Sequence, residues 1–194
     1  MRPTPYQYRL ARGFTLIELL VTMSVAAILM AVALPNLRNF VVSNNLSSNV
    51  NAFVGLMNYA RSEAIVRNQS VLVCPKTSVS SNACNSSQFW NEYDLEVFVD
   101  VDGSDSWTTG DILLKTVTAI DTTSNSFRII KPTSAASFIK FGAVGLSQYT
   151  HRFDLYAVNA SDSAYETKYG RTVCISKPGR AKVVSYTGSG CSVF

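Results

Sequence analysis

Between Phe14 and Leu34 the chain runs through 21 residues that carry a single charge, Glu18, near the start. At about 1.5 Å of rise per residue, a helix of that length crosses the hydrocarbon core of a bilayer. A secretory signal has a shorter apolar core, roughly 7–15 residues, followed by a small-residue cleavage site. Here the run is longer and leaves through LPNLRNF, so the segment is expected to stay in the mature protein. A carboxylate inside a membrane helix costs on the order of 2–3 kcal/mol or more and usually has a partner. Cutting the chain between Gly13 and Phe14 would supply one, because the freed α-amine is positive when solvated. Phe14 and Glu18 are four residues apart and share a helix face. The pair can form within one chain or between neighbours.

The segment RGFTLIELLVTMSVAAILMAVALP resembles the type III leader and N-terminal helix of type IV pilins and pseudopilins. The resemblance implies a prepilin peptidase that cuts after Gly13 and N-methylates Phe14, and it gives Glu18 the task of neutralising the amine of an adjacent subunit during filament assembly. On this reading residues 1–13 are a cleaved leader, residues 14–68 are a helix that spans the inner membrane in 14–34, and residues 69–194 are a head domain. The leader holds Arg2, Arg9 and Arg12 and no acid. Basic flanks stay in the cytoplasm, so the head is expected in the periplasm.

Four cysteines, Cys74, Cys84, Cys174 and Cys191, are an even number in a domain expected in an oxidising space. Four allow three pairings, and proximity favours Cys74 with Cys84 and Cys174 with Cys191. A metal site is the weaker rival, since no Cys-x-x-Cys occurs and His151 is the one histidine.

Pro35 follows the apolar run, and SNNLSSN (residues 43–49) is polar and a poor helix former. Apolar residues then return at Val50, Phe53, Val54, Met57, Ala60 and Ala64 with helical spacing. The pattern predicts one long, interrupted helix from Phe14 to about Asn68 whose outer half buries a stripe against the rest of the chain. From Val71 onward the signal is short β-branched and aromatic runs broken by turn residues: VLVC, DLEVFVDV, DILLKTV, FRII, SFIKFG, HRFDLYAV, TVCIS and AKVVSY. No helical pattern separates them, which predicts antiparallel pairing. The class is therefore α+β, a long N-terminal helix packed on an antiparallel sheet. The stretches SVSSNACNSS (78–87) and NASDSAYETKYG (159–170) read as loops.

The segment NEYDLEVFVDVDGSDSWTTGDILLKTV and the late KPGRAK are similar to the GspH/FimT branch of the pilin-like family, the minor pseudopilins and minor pilins. This implies a filament subunit whose partners are other pilin or pseudopilin subunits, in a type IV pilus or in the type II secretion apparatus. The basic tail and the cysteines favour the pilus.

Within DVDGSDS, Asp100, Asp102 and Asp105, with Asp111 nearby, invite a calcium reading. An EF-hand loop needs Gly at its sixth position and Glu at its twelfth; here Gly103 is fourth and Asp111 twelfth. A turn between strands, with Asp-Gly supplying a positive φ, accounts for the same residues, so no metal is expected. One histidine and no phosphate-binding or nucleotide motif leave no basis for an enzyme or a cofactor.

Charge is divided along the chain. The net is +4. Residues 68–127 hold two basic and eight acidic residues (−6), and residues 128–194 hold nine basic and three acidic (+6). From Arg171 onward Arg171, Lys177, Arg180 and Lys182 meet no acid. These cations either form a solvated face or dock on the acidic half of a neighbouring subunit, or they hold a polyanion with Tyr169 and Tyr186 available for stacking. FimT-like minor pilins in DNA uptake carry Gly-Arg-x-Arg near the C-terminus. Gly179-Arg180-Ala181-Lys182 resembles it, with lysine in place of the final arginine; lysine keeps the charge and loses the planar fork. The resemblance implies DNA binding for natural transformation through Gly179, Arg180 and Lys182, with Arg171 and Lys177 as further candidates from the basic tail.

Overall fold

The computed structural model describes residues 13–78, 81–85, 89–119, 127–130, 137–157, 169–187 and 191. Leader residues 1–12 and residues 159–168 of the second predicted loop lie outside these. Helix α1 covers Leu16–Arg67. Its start is set by Thr15, whose Oγ1 accepts the Glu18 N–H at 3.3 Å. Thr-x-x-Glu is the spacing of a capping box, and the acid also complements the positive end of the helix dipole. Its end is a Schellman motif: Asn68 adopts φ 53°, its N–H reaches Ile65 O at 3.3 Å and the Gln69 N–H reaches Ala64 O at 3.2 Å.

The expected interruption is absent. α1 continues through Pro35 and through the polar stretch 43–49. A proline deletes one backbone donor, which the bonds of the flanking turns bridge. In the polar stretch Ser47 Oγ donates to Ser43 O at 2.8 Å, and Leu46 and Val50, each 3% exposed, anchor the helix in the core. Burial outweighs weak propensity here.

The chain divides into two compact units, one ending at Val41 and one starting at Val42. In the first, every residue from Gly13 to Leu34 is exposed. The second holds two antiparallel sheets, built from β1 (Ser70–Ser78), β2 (Ser81–Cys84), β3 (Leu95–Asp100), β4 (Ile112–Val117), β5 (Phe127–Ile130), β6 (Ile139–Phe141), β7 (His151–Ala157), β8 (Arg171–Ile175) and β9 (Ala181–Ser185). One sheet has the order β2-β1-β3-β4 with β6 also paired to β1; the other has the order β5-β7-β8-β9. Each of the eight predicted β segments is a strand.

β2 was expected to be loop. The residues Ser81–Cys84 pair with β1 in the register Lys76↔Cys84 and Ser78↔Ser81, and Cys84 is bonded to Cys74 with an S–S distance of 2.02 Å. A long-range tether holds a segment whose own propensity is low.

The core lies between α1 and both sheets. Phe53, Met57, Ala60 and Ala64 from the helix meet Val71, Val97 and Val99 from the first sheet and Phe153, Leu155 and Val173 from the second. At its centre the rings of Phe53 and Phe153 are 4.9 Å apart and those of Trp90 and Phe153 are 4.8 Å apart. Residues at alternate positions of β1 and β3 face the other way, where Leu72, Cys74 and Phe98 pack with Cys84, Trp107 and Phe138. β3 is thus buried on both faces, although Glu96 and Asp100 lie within it. A cation stands beside each: Lys76 Nζ is 3.0 Å from Glu96, whose oxygens accept no hydrogen bond among the described residues, and Lys140 Nζ is 3.0 Å from Asp100.

Candidate functional site

Two regions carry the candidate residues. The first is the start of α1, where Gly13, Phe14 and Glu18 lie at the head of the exposed apolar run. Phe14 is 85% exposed. Thirteen large apolar side chains between Phe14 and Leu34 face outward. At about 1.5–3 kcal/mol for each when left in water, their exposure amounts to on the order of 20–40 kcal/mol. That exceeds the whole folding stability of an ordinary domain, about 5–15 kcal/mol. Such a segment exists only with an apolar cover around it.

The second region is the turn between β8 and β9. Gly179 N donates to Ser176 O at 2.8 Å, and Ser176 N donates to Arg180 O at 3.0 Å. Gly179 has φ +75°, and a Cβ added there would sit 2.1 Å from the backbone oxygen of Gly145. Only glycine allows this approach. The turn is docked further by the Ser147 N–H, which bonds Lys177 O at 2.8 Å. Gly145, also at φ +75°, lies against Ile65 of α1. Three elements therefore meet at one point: the end of α1, the residues 142–147 and the turn 176–180.

The structure brings Lys177, Gly179 and Arg180 together in this turn and separates the other candidates from it. Arg171 is at the far end of the hairpin, opposite Ser185, and its Nη1 donates to Tyr169 O at 3.2 Å and to Gly170 O at 2.9 Å. Lys182 is opposite Cys174, the residue that holds Cys191 through an S–S bond of 1.95 Å. Tyr169 and Tyr186, offered for stacking, are both half-buried, and Tyr186 packs against Tyr156 with centroids 5.7 Å apart. Lys177, Arg180 and Lys182 are exposed, and among the described residues none of the three is in an ion pair. Arg61, which sequence reasoning passed over, reaches into the turn from α1: its Nε donates to Gly145 O at 3.0 Å. No local signal marks it, because the contact joins residues 84 positions apart.

The aspartate loop between β3 and β4 forms a closed hydrogen-bonded unit. Asp100, Asp102 and Asp111 can bring one oxygen each within 4.8 Å of one another, a spacing that a cation could bridge. Those oxygens already have donors. Asp100 and Asp102 both accept the Ser104 N–H at 3.0 Å; Asp111 accepts Val101 N at 2.9 Å and Thr108 N at 2.7 Å. Lys140 inserts its ammonium between Asp100 and Asp105. Burial works against that charge, and the hydrogen bonds it donates to Asp105 and Asp100 outweigh it, so the Lys140 pKa rises above its ordinary value. Hydrogen bonds from the Ser104 side chain and backbone and from Thr108 lower the pKa of Asp102. Gly103 takes φ 72° and Asp105 φ 59°, the positions at which the loop reverses.

Comparison with known proteins places these features. Residues 49–179 match the family model described as type II transport protein GspH, and residues 8–34 match the prokaryotic N-terminal methylation motif. The first match ends at Gly179, one residue before Arg180. A search of curated proteins found no match. The crystal structure of the type IV minor pilin FimU from Pseudomonas aeruginosa strain PAO1 shares the fold, with a TM-score of 0.51 at 19% identity over 73% of this chain and 89% of that one. A second crystal form of FimU gives a TM-score of 0.48 at 19% identity, covering 71% of this chain and 91% of that one.

Proposed function

Because the chain belongs to the GspH family and carries the methylation motif at its N-terminus, we propose that it is a minor pilin of a type IV pilus, anchored in the inner membrane by residues 14–34 with its head in the periplasm. Prepilin peptidase removes residues 1–13 and methylates Phe14. The observation that carries this reading is the exposed apolar run with one acid four residues from the cut. Lipid covers the run before assembly, and the helices of neighbouring subunits cover it afterwards. Glu18 then meets the Phe14 amine of an adjacent copy. The chain works by assembly and contact, with no turnover of substrate. The test is Glu18→Ala: its share of sheared filaments is expected to fall at least tenfold while its membrane content holds. Incorporation equal to wild type would refute the pairing. Membership of a type II secretion pseudopilus is the alternative, and loss of secretion without loss of pili on deletion would select it.

A second activity, binding of DNA for natural transformation, is favoured by one observation: Lys177, Arg180 and Lys182 are exposed and free of ion pairs among the described residues, on a hairpin docked to the core. Replacing Arg180 and Lys182 together with alanine is expected to weaken duplex binding at low salt by tenfold or more. Unchanged affinity would remove this reading.

A further inference from the structure

Arg61 is held at its middle. Its Nε donates to Gly145 O at 3.0 Å, and its Cδ and Nε lie against Gly179, 3.1 and 2.8 Å from where a Cβ would be. Two backbone segments thus clamp the Cδ–Nε portion of the side chain. Among the described residues, neither Nη group has an acceptor and no carboxylate pairs with the guanidinium. The nearby acid on the same helix, Glu63, is taken by Arg67 at 2.7 Å. A long side chain normally loses up to about 2 kcal/mol of rotamer entropy when it is immobilised. Here the fold has already fixed most of it, so a ligand meets a pre-organised fork. The two NH₂ groups of a guanidinium, at fixed spacing, match two oxygens of a phosphate. Arg180 follows Gly179 directly, and Lys177 lies on the same turn. Arg61 thus lies against the glycine that precedes Arg180 in the chain.

We infer that Arg61, Lys177 and Arg180 form one phosphodiester-binding site, in which Arg61 touches the ligand through its Nη groups while its Nε holds the Gly145 carbonyl. The inference rests on the polyanion reading of the β8–β9 turn given above and adds to it a contact from α1. Gly145 and Gly179 belong to the site as the two positions whose bare backbone admits the arginine. Nucleic acid is the favoured source of the phosphate, since cations drawn from one turn and the helix against it suit successive phosphates of one strand.

The test measures affinity of the full-length chain, in detergent micelles, for a labelled DNA duplex over a range of salt. Each phosphate contact contributes about 0.9 to the slope of log K against log salt. Arg61→Gln is expected to weaken binding about tenfold and to lower the slope by about one contact. Arg61→Lys is expected to keep the slope and lose part of the affinity, because charge survives and the fork does not. If Arg61→Gln weakens binding with the slope unchanged, Arg61 only positions the turn and the direct contact is overturned, while the DNA reading stands. If wild type ignores the duplex but binds labelled polyphosphate or phosphatidylglycerol vesicles, with Arg61→Gln abolishing that binding, the DNA reading fails and the three-cation site stands. Failure of wild type to bind any of the three removes both.

Discussion

At position 179 a side chain has no space. The backbone oxygen of Gly145 would be 2.1 Å from a Cβ there, and backbone atoms do not swing aside. A positive φ on a non-glycine residue adds roughly 1–3 kcal/mol. Gly179→Ala is therefore predicted to lower stability by about 3 kcal/mol and to displace the turn from Arg61, which calorimetry and duplex titration of the same variant would read together. Lys140 is the second residue on which much depends. Removing one partner of a buried pair costs roughly 3–5 kcal/mol, because the other charge is left behind; Lys140→Met would strand Asp100, 4% exposed. The pKa of Lys140 is raised, so its contribution is complete below its ordinary value of 10.5 and is lost as pH climbs through the higher folded value. Asp102 behaves oppositely: its pKa is lowered, so its contribution is present above its ordinary 3.8 and fades as pH falls through the lower folded value. Urea midpoints are expected to drop above pH 10.5 in the native chain, and Lys140→Met should lack that alkaline drop. At this scale Gly13, Phe14 and Glu18 were legible as candidates, from the place of the acid in the apolar run and the resemblance to pilin leaders. The sequence could not announce Arg61 or Lys140, whose partners are 84 and 40 residues away.

Among the elements, the strands were legible and their exceptions are informative. Runs such as LEVFVD alternate or bury throughout, and local composition identifies them. SNAC in β2 has no such pattern; it is a strand because β1 and the Cys74–Cys84 bond hold it there. Replacing Cys74 and Cys84 with serine is predicted to cost about 2–4 kcal/mol and to speed hydrogen exchange in residues 81–84 while the amides of β3 stay protected. Uniform loss of protection across the first sheet would show that the bond supports more than β2. For α1 the same lesson runs the other way. Pro35 and SNNLSSN looked like breaks, yet the helix continues, because Leu46 and Val50 gain more from the core than the polar residues lose in propensity.

The whole molecule combines an apolar segment that water cannot cover with a disulfide-braced, two-sheet head. That combination, the GspH match and the methylation motif make it a pilin-like subunit. Its head is divided in charge, with −6 over residues 68–127 and +6 over residues 128–194. The acidic half is largely internally engaged, by Lys76, Lys140 and the loop amides, whereas Lys177, Arg180 and Lys182 of the basic half face outward. The fold class could be read from periodicity, but the meeting of α1, residues 142–147 and the β8–β9 turn depends on packing that no local pattern encodes. The proposed pairing of Glu18 presupposes that the chain is processed, since on that reading the freed amine of Phe14 is its partner. Intact-mass spectrometry of the protein purified from cells with an active prepilin peptidase tests this most directly. The expected result is a chain that begins at N-methylated Phe14 and has four oxidised cysteines; a chain that still begins at Met1 would contradict it.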